Sequence, residues 1–160
     1  PTRGLFGGGK FNSPSDFVNN IELITIATTG NTSEFGDLLV KGGRSGGNCS
    51  SNTRGVFSIS NYPSSDSISL NFVTIASTGN ALDFGDHIST ATTKGALSDT
   101  IRGIFYGGFD GSTPNYQNVV EQITIATTGN AVDWGEIQLS TGTGRGAYAS
   151  GISDSHGGLE

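Results

Sequence analysis

The chain has 160 residues, a net charge of −6, 26 glycines, one cysteine and no methionine, and only 14% of it is charged. The length suits one domain, and the acid excess argues against a nucleic-acid surface, which needs a basic stripe to displace counterions. No apolar run approaches the roughly 18 residues of a membrane span, and Cys49 alone cannot form an intramolecular disulfide.

The first strand is expected at "RGLFGG" from Arg3, where glycines let the backbone turn or approach a neighbour closely. A polar connection, "KFNSPSDFVNN", separates it from "ITIA" at Ile24, whose alternation gives one oily sheet face. The following "TTGN" predicts a tight hairpin turn, since Gly and Asn tolerate positive φ. "FGDLLV" from Phe35 restarts the chain as a strand, and the small residues of "RSGGNCS" from Arg44 suit a crowded one.

Then the pattern begins again. "RGVF" at Arg54 and "RGIF" at Arg102 repeat the opening; "VTIASTGN" from Val73 and "ITIATTGN" from Ile123 repeat the middle. Phe84 and Trp134 follow where Phe35 stood, and "KGALS" and "RGAYAS" echo the small-residue strand. The unit is about 50 residues, a length that marks repeat architectures. Approximate repeats span 3–53, 54–101 and 102–155, and the expected fold is all-β, with four short antiparallel strands per unit. One such meander has two faces and nothing to pack them on, so stacked copies must form each other's core. Radial stacking into a propeller achieves this while leaving only short edges.

The residues resemble the kelch-type β-propeller repeat. "LFGGG" at Leu5 and "IFYGG" at Ile104 look like its aromatic-glycine-glycine second strand, and Phe35, Phe84 and Trp134 stand where the family's tryptophan stands. "VFSIS" at Val56 departs from the pattern by lacking the glycine pair. The "TIATTGN" wording is also similar to kelch-like repeats in structural and tail-associated proteins of marine bacteriophages. The resemblance implies four-stranded blades, three per chain, with residues 145–158 supplying the missing first strand of the N-terminal blade. That strand is given within the chain or to a partner. Three blades around one axis would open wedges too wide for sheets about 10 Å apart. Two chains closing six blades are therefore expected, or else this chain is a piece of a longer propeller. Opening on Pro1 and closing on Leu159-Glu160, it is expected to be processed or excised.

Arg3, Arg54 and Arg102, the aromatics Phe35, Phe84 and Trp134, and the acids Asp37, Asp86 and Glu136 are expected to be structural repeat positions. With Glu34, Asp83 and Asp133, those acids form three pairs. They suit either Ca²⁺ or, as preferred here, turn chemistry and inter-blade ion pairs with the arginines. No metal or cofactor is expected. His87 and His156 lie in no metal or nucleophile motif, and Cys49 reads as a buried thiol, so no catalysis is expected.

Variation concentrates in the connections between second and third strands. They carry Phe11, Asp16, Tyr62, Asp66, Phe109, Asp110, Asn115 and Tyr116, all expected on one side of the disc. Aromatics among Asn and Asp suit glycans or a cell-surface receptor. The expected role is assembly or attachment in a virion or extracellular structure, with no nucleic-acid or membrane partner. A lectin-like propeller is the alternative; a glycan-active enzyme and a designed repeat protein stand behind it.

Overall fold

The computed structural model describes residues 2–10, 16–42, 46–59, 69–110, 116–138 and 151–153. Among these the chain is all-β, with eleven strands in three antiparallel sheets and no helix. The first sheet joins β1 (Arg3–Lys10), β2 (Phe17–Thr25) and β3 (Ser33–Asp37) in that order. The second joins β4 (Cys49–Ser50), β5 (Arg54–Ser58), β6 (Ser69–Thr74) and β7 (Leu82–Asp86). The third joins β8 (Gly95–Ser98), β9 (Arg102–Tyr106), β10 (Val119–Thr124) and β11 (Val132–Glu136). Within each sheet every strand pairs with the next in sequence, so each sheet is a meander.

The repeat sets the register. Arg3 pairs with Thr25, Arg54 with Thr74 and Arg102 with Thr124. A β-bulge recurs at one position, after Ile21, Leu70 and Val120, each opposite a glycine of positive φ: Gly36, Gly85 and Gly135. The extra residue tightens the local twist, and pairing resumes beyond it, as at Glu22 with Glu34.

Alternation along the strands aims side chains at two neighbours. Phe57 on β5 packs towards the first sheet with Ile21, Phe35 and Val73, whereas its neighbour Val56 joins Phe84, Phe105, Ile123 and Ile125 towards the third. The core is therefore two seams, one between each pair of successive sheets. Burying an aromatic such as Phe105, which is wholly enclosed, contributes about 1.5–3 kcal/mol.

The Gly-Asn segment does not make the expected tight hairpin. The turn comes earlier, closed by Thr28 N–H donating to the Thr25 carbonyl, and likewise by Ser77 to Thr74 and Thr127 to Thr124. Gly-Asn instead docks on the preceding sheet. Gly79 N–H donates to the Phe35 carbonyl (2.8 Å) and Ala81 N–H to that of Asp37 (2.7 Å), while Asn80 Oδ1 accepts from Asp37 N–H (3.1 Å). Fifty residues on, Gly129, Ala131 and Asn130 make the same three bonds to Phe84 and Asp86. The joint is written twice. It also explains the glycine in "FGD", because a Cβ at Gly36 would run into the Gly79 carbonyl, and one at Gly85 into that of Gly129.

The first strands of the second and third sheets meet as well. Ser98 Oγ donates to the Ser50 carbonyl (3.2 Å), and Ser153 Oγ donates to the Ser98 carbonyl. Residues 151–153 thus stand to β8 as β8 stands to β4. Close approach requires small residues here, since a Cβ at Gly47 would strike Ala96 and one at Gly103 would strike the Cys49 thiol.

Gly85→Ala should cost about 3 kcal/mol, a Tm loss of roughly 10 °C, because the added methyl meets rigid backbone and Gly85 has φ +141°. Asn80→Ala, which forfeits one hydrogen bond, should cost about 1 kcal/mol. Thermal denaturation of both variants checks the pair.

Candidate functional site

The strands claim part of what the sequence assigned to variable connections: Phe17 to Asn20 belong to β2, and Ser69 to Asn71 to β6. Of the recognition candidates, Phe11, Tyr62, Asp66 and Asn115 lie outside the described residues. Asp16 sits at the start of β2, where Lys41 Nζ (3.0 Å) and the Phe17 N–H (2.8 Å) hold its carboxyl below the usual carboxylate range. The structure brings the third connection's candidates together. Phe109 and Tyr116 bridge across the β9–β10 hairpin with ring centroids 5.8 Å apart, and Asp110 accepts from Gln117 Nε2 (2.7 Å). Phe109 also exchanges backbone hydrogen bonds with Thr92, which anchors this tip to the β7–β8 connection. Tyr116 is exposed, so the tip offers one aromatic face beside an amide and a carboxylate.

The repeat positions act through the backbone rather than through the expected ion pairs. Arg3 Nη1 donates to the Ile75 carbonyl (2.8 Å) and Arg54 Nη1 to that of Ile125 (3.2 Å), each reaching the next sheet. Arg54 also lies over the Phe72 ring at 4.5 Å. Asp37 and Asp86 are bound through their N–H and C=O groups, as described above. A carbonyl at a strand end is fixed by the ladder, so it is a better-placed acceptor than a flexible carboxylate. Arg102 pairs instead with Asp99 (2.9 Å), three residues away, with its guanidinium 5.8 Å from the Trp134 ring.

A polar cluster that the sequence reading missed lies buried between the second and third sheets. Ser58 ends β5, His87 follows β7, Lys94 precedes β8 and Glu121 points inward from β10. Ser58 Oγ and His87 Nε2 are 2.8 Å apart, His87 Nδ1 is 3.0 Å from Glu121 Oε1, and the same oxygen meets Lys94 Nζ. Lys94 also donates to Ser89 Oγ (2.9 Å), and Glu121 Oε2 accepts from the Ile88 N–H (2.6 Å). Glu121 occupies the position of Asn71, whose Oδ1 accepts from the equivalent Leu39 N–H (3.1 Å). An inward acid among "VVEQIT" was the available signal; that it shares a seam with His87 and Lys94 is a fact of tertiary packing.

Serine, histidine and carboxylate stand here in the order of an acid–base relay. Three features turn the arrangement towards structure. All four side chains are buried, Nδ1 lies off the line of a hydrogen bond to Glu121, and Lys94 neutralises the carboxylate. Burial alone would raise the Glu121 carboxyl, but His87 and Lys94 outweigh it and hold it down to about 2. Burial lowers His87, with Lys94 adding to that against Glu121 and Asp86, so the ring is neutral near neutral pH. Burial likewise lowers the Lys94 ammonium against the pull of Glu121, and pushes the Cys49 thiol up to about 12, far from a reactive thiolate.

A cavity of about 220 Å³ opens along β1, lined by Arg3 to Leu5, by Asn48 to Ser50 and by β5. It lies along the edge of the first sheet, where β1 pairs only with β2 among the described residues. No group of three or more His, Cys, Asp or Glu side chains suited to a metal occurs among the described residues. Among the described residues no helix is long and apolar enough to cross a membrane. No model of a known protein family matches the sequence, and no curated protein matches it.

Glu121→Gln should cost about 3–5 kcal/mol by stranding the Lys94 charge, and adding Lys94→Met should recover most of it while the amide still serves the Ile88 N–H. Urea unfolding of the single and double variants measures both. Stability should fall as pH drops through about 6.5, because unfolded His87 takes up a proton there and the buried ring does not. The Glu121 contribution is lost only from about 4.5 towards 2. His87→Gln should remove the first step in a plot of Tm against pH and shrink the second, because it also takes away part of what holds the Glu121 carboxyl down.

Proposed function

We propose that the chain is a non-catalytic kelch-type β-propeller module serving assembly or attachment in a virion or other extracellular structure. The twice-written joint carries this reading. Identical contacts between the first and second sheets and between the second and third mean that one spatial operation relates each sheet to the next. Repeated with wedge-shaped spacing, such an operation sweeps sheets around an axis.

The step of serines from Ser50 to Ser98 to Ser153 supports residues 151–153 as part of the strand expected at 145–158, the rest of which lies outside the described residues. The cavity along β1 supports an incoming strand on the first sheet. Two chains closing six blades satisfy both ends, each giving its last strand to the other's first sheet. The buried and neutralised state of the Ser58–His87–Glu121 group favours a non-catalytic role.

The exposed Tyr116 face beside Asp110 and Gln117 favours a lectin-like propeller as the second reading. A glycan array discriminates. Assembly predicts no hits, whereas hits abolished by Tyr116→Ala at unchanged Tm would transfer the function to carbohydrate binding. Particle averages by electron microscopy test the architecture: six radial units around an axis are expected, and a linear stack of sheets would remove the propeller.

A further inference from the structure

The two ends of the stack are halves of the same joint. Phe35 and Phe84 are 3% and 2% exposed beneath the following sheet's docked turn, whereas Trp134, at the same repeat position on β11, is 54% exposed. The complementary face shows the reverse. Phe57 and Phe105 are 4% and 0% exposed against the preceding sheet, but Phe6, their counterpart on β1, is 57% exposed. Ile125 is fully enclosed and Ile26 is 71% exposed. The Phe35/Phe84 and Phe57/Phe105 positions, buried inside the stack, are thus bare at one end, Ile75 is half-buried, intermediate between Ile26 and Ile125, and the bare sets lie on opposite ends.

The polar partners divide in the same way. Thr32, which closes the first sheet's copy of the docking turn, is exposed where Ala81 and Ala131 are buried, and a Cβ on Gly135 would meet nothing within 4 Å, unlike one on Gly36 or Gly85.

We infer that the face bearing Phe6, Ile26 and the Gly30-Asn31 turn binds the Trp134 face of a second copy of this chain. By the internal pattern, Gly30 N–H donates to the Trp134 carbonyl and Asn31 Oδ1 accepts from the Glu136 N–H. Glu22, at the position of Asn71 and Glu121, takes the Gln138 N–H. Arg102 leaves Asp99 for the Ile26 carbonyl, as Arg3 and Arg54 use Ile75 and Ile125. A second copy is the fitting occupant because each half-joint is completed by the sequence of the other. Two copies make the contact twice around a twofold axis, the simplest closed arrangement. This surface deepens the propeller reading and rests on it.

Trp134 is the single tryptophan, so its emission reports this surface alone. Light scattering and fluorescence of the 160-residue chain across a dilution series should show a dimer with blue-shifted emission that reddens as it dissociates. Ile26→Glu, at a position exposed in the single chain, should weaken association by at least about a hundredfold, with unchanged far-ultraviolet circular dichroism and a Trp134 emission that stays red. An assembly with solvent-exposed Trp134, or one indifferent to Ile26→Glu, overturns the surface and leaves the stacking of three sheets within each chain standing. A larger closed ring with buried Trp134 supports the surface and removes the six-blade count. A stable monomer overturns the surface and two-chain closure together.

Discussion

A four-stranded meander with apolar side chains on both faces cannot rest against water, and everything else in this molecule answers to that. The second sheet shows the constraint most plainly. Phe57 and Val73 leave one of its faces and Val56, Leu70 and Phe84 the other, so it is filling for two seams at once. Neither seam is closed by oil alone. The Gly-Asn turn bolts each sheet's outer edge to the one before, and an arginine from the RGxF strand ties back to the next sheet's carbonyl. Because these bolts use main-chain groups held by ladders, they are directional where apolar packing is not, and they fix the angle at which sheets meet.

Much of this was legible in the text of the chain. Period, strand order and the all-β class follow from residues that recur with their spacing intact. What failed did so for a common reason: a local motif was assigned a local job. Gly79-Asn80 reads as a hairpin turn because such pairs commonly make one, yet its donors and acceptor are spent on Phe35 and Asp37, more than forty residues away. Arg3 and Arg54 suggested carboxylate partners by charge, but a strand-end carbonyl lay nearer and better fixed. Alternation tells that a residue leaves one face; it does not tell which sheet that face will meet.

The Ser58, His87, Lys94 and Glu121 cluster shows how a repeat protein departs from its own template. Asn71 and Glu121 perform one task, accepting an N–H from the end of the preceding sheet's outer strand. The amide does so without charge. The carboxylate does so at the cost of desolvation, offset by a lysine and a histidine brought to it from the same seam. The two seams are therefore alike in backbone geometry and unlike in chemistry. Among the described residues only the second seam holds a histidine, so only it is opposed by proton uptake of that ring in the unfolded chain.

The inner serine bonds have a sense of travel: each hydroxyl reaches back to the carbonyl of the strand before it, and the docking turns face the same way. Such a stack has a front and a back, and no unit fits if turned around. A gene encoding it can lengthen by tandem duplication, since every new junction duplicates an old one, whereas an inverted unit would set knob against knob. The direction in which a hydroxyl donates thus restricts the paths by which the chain can evolve.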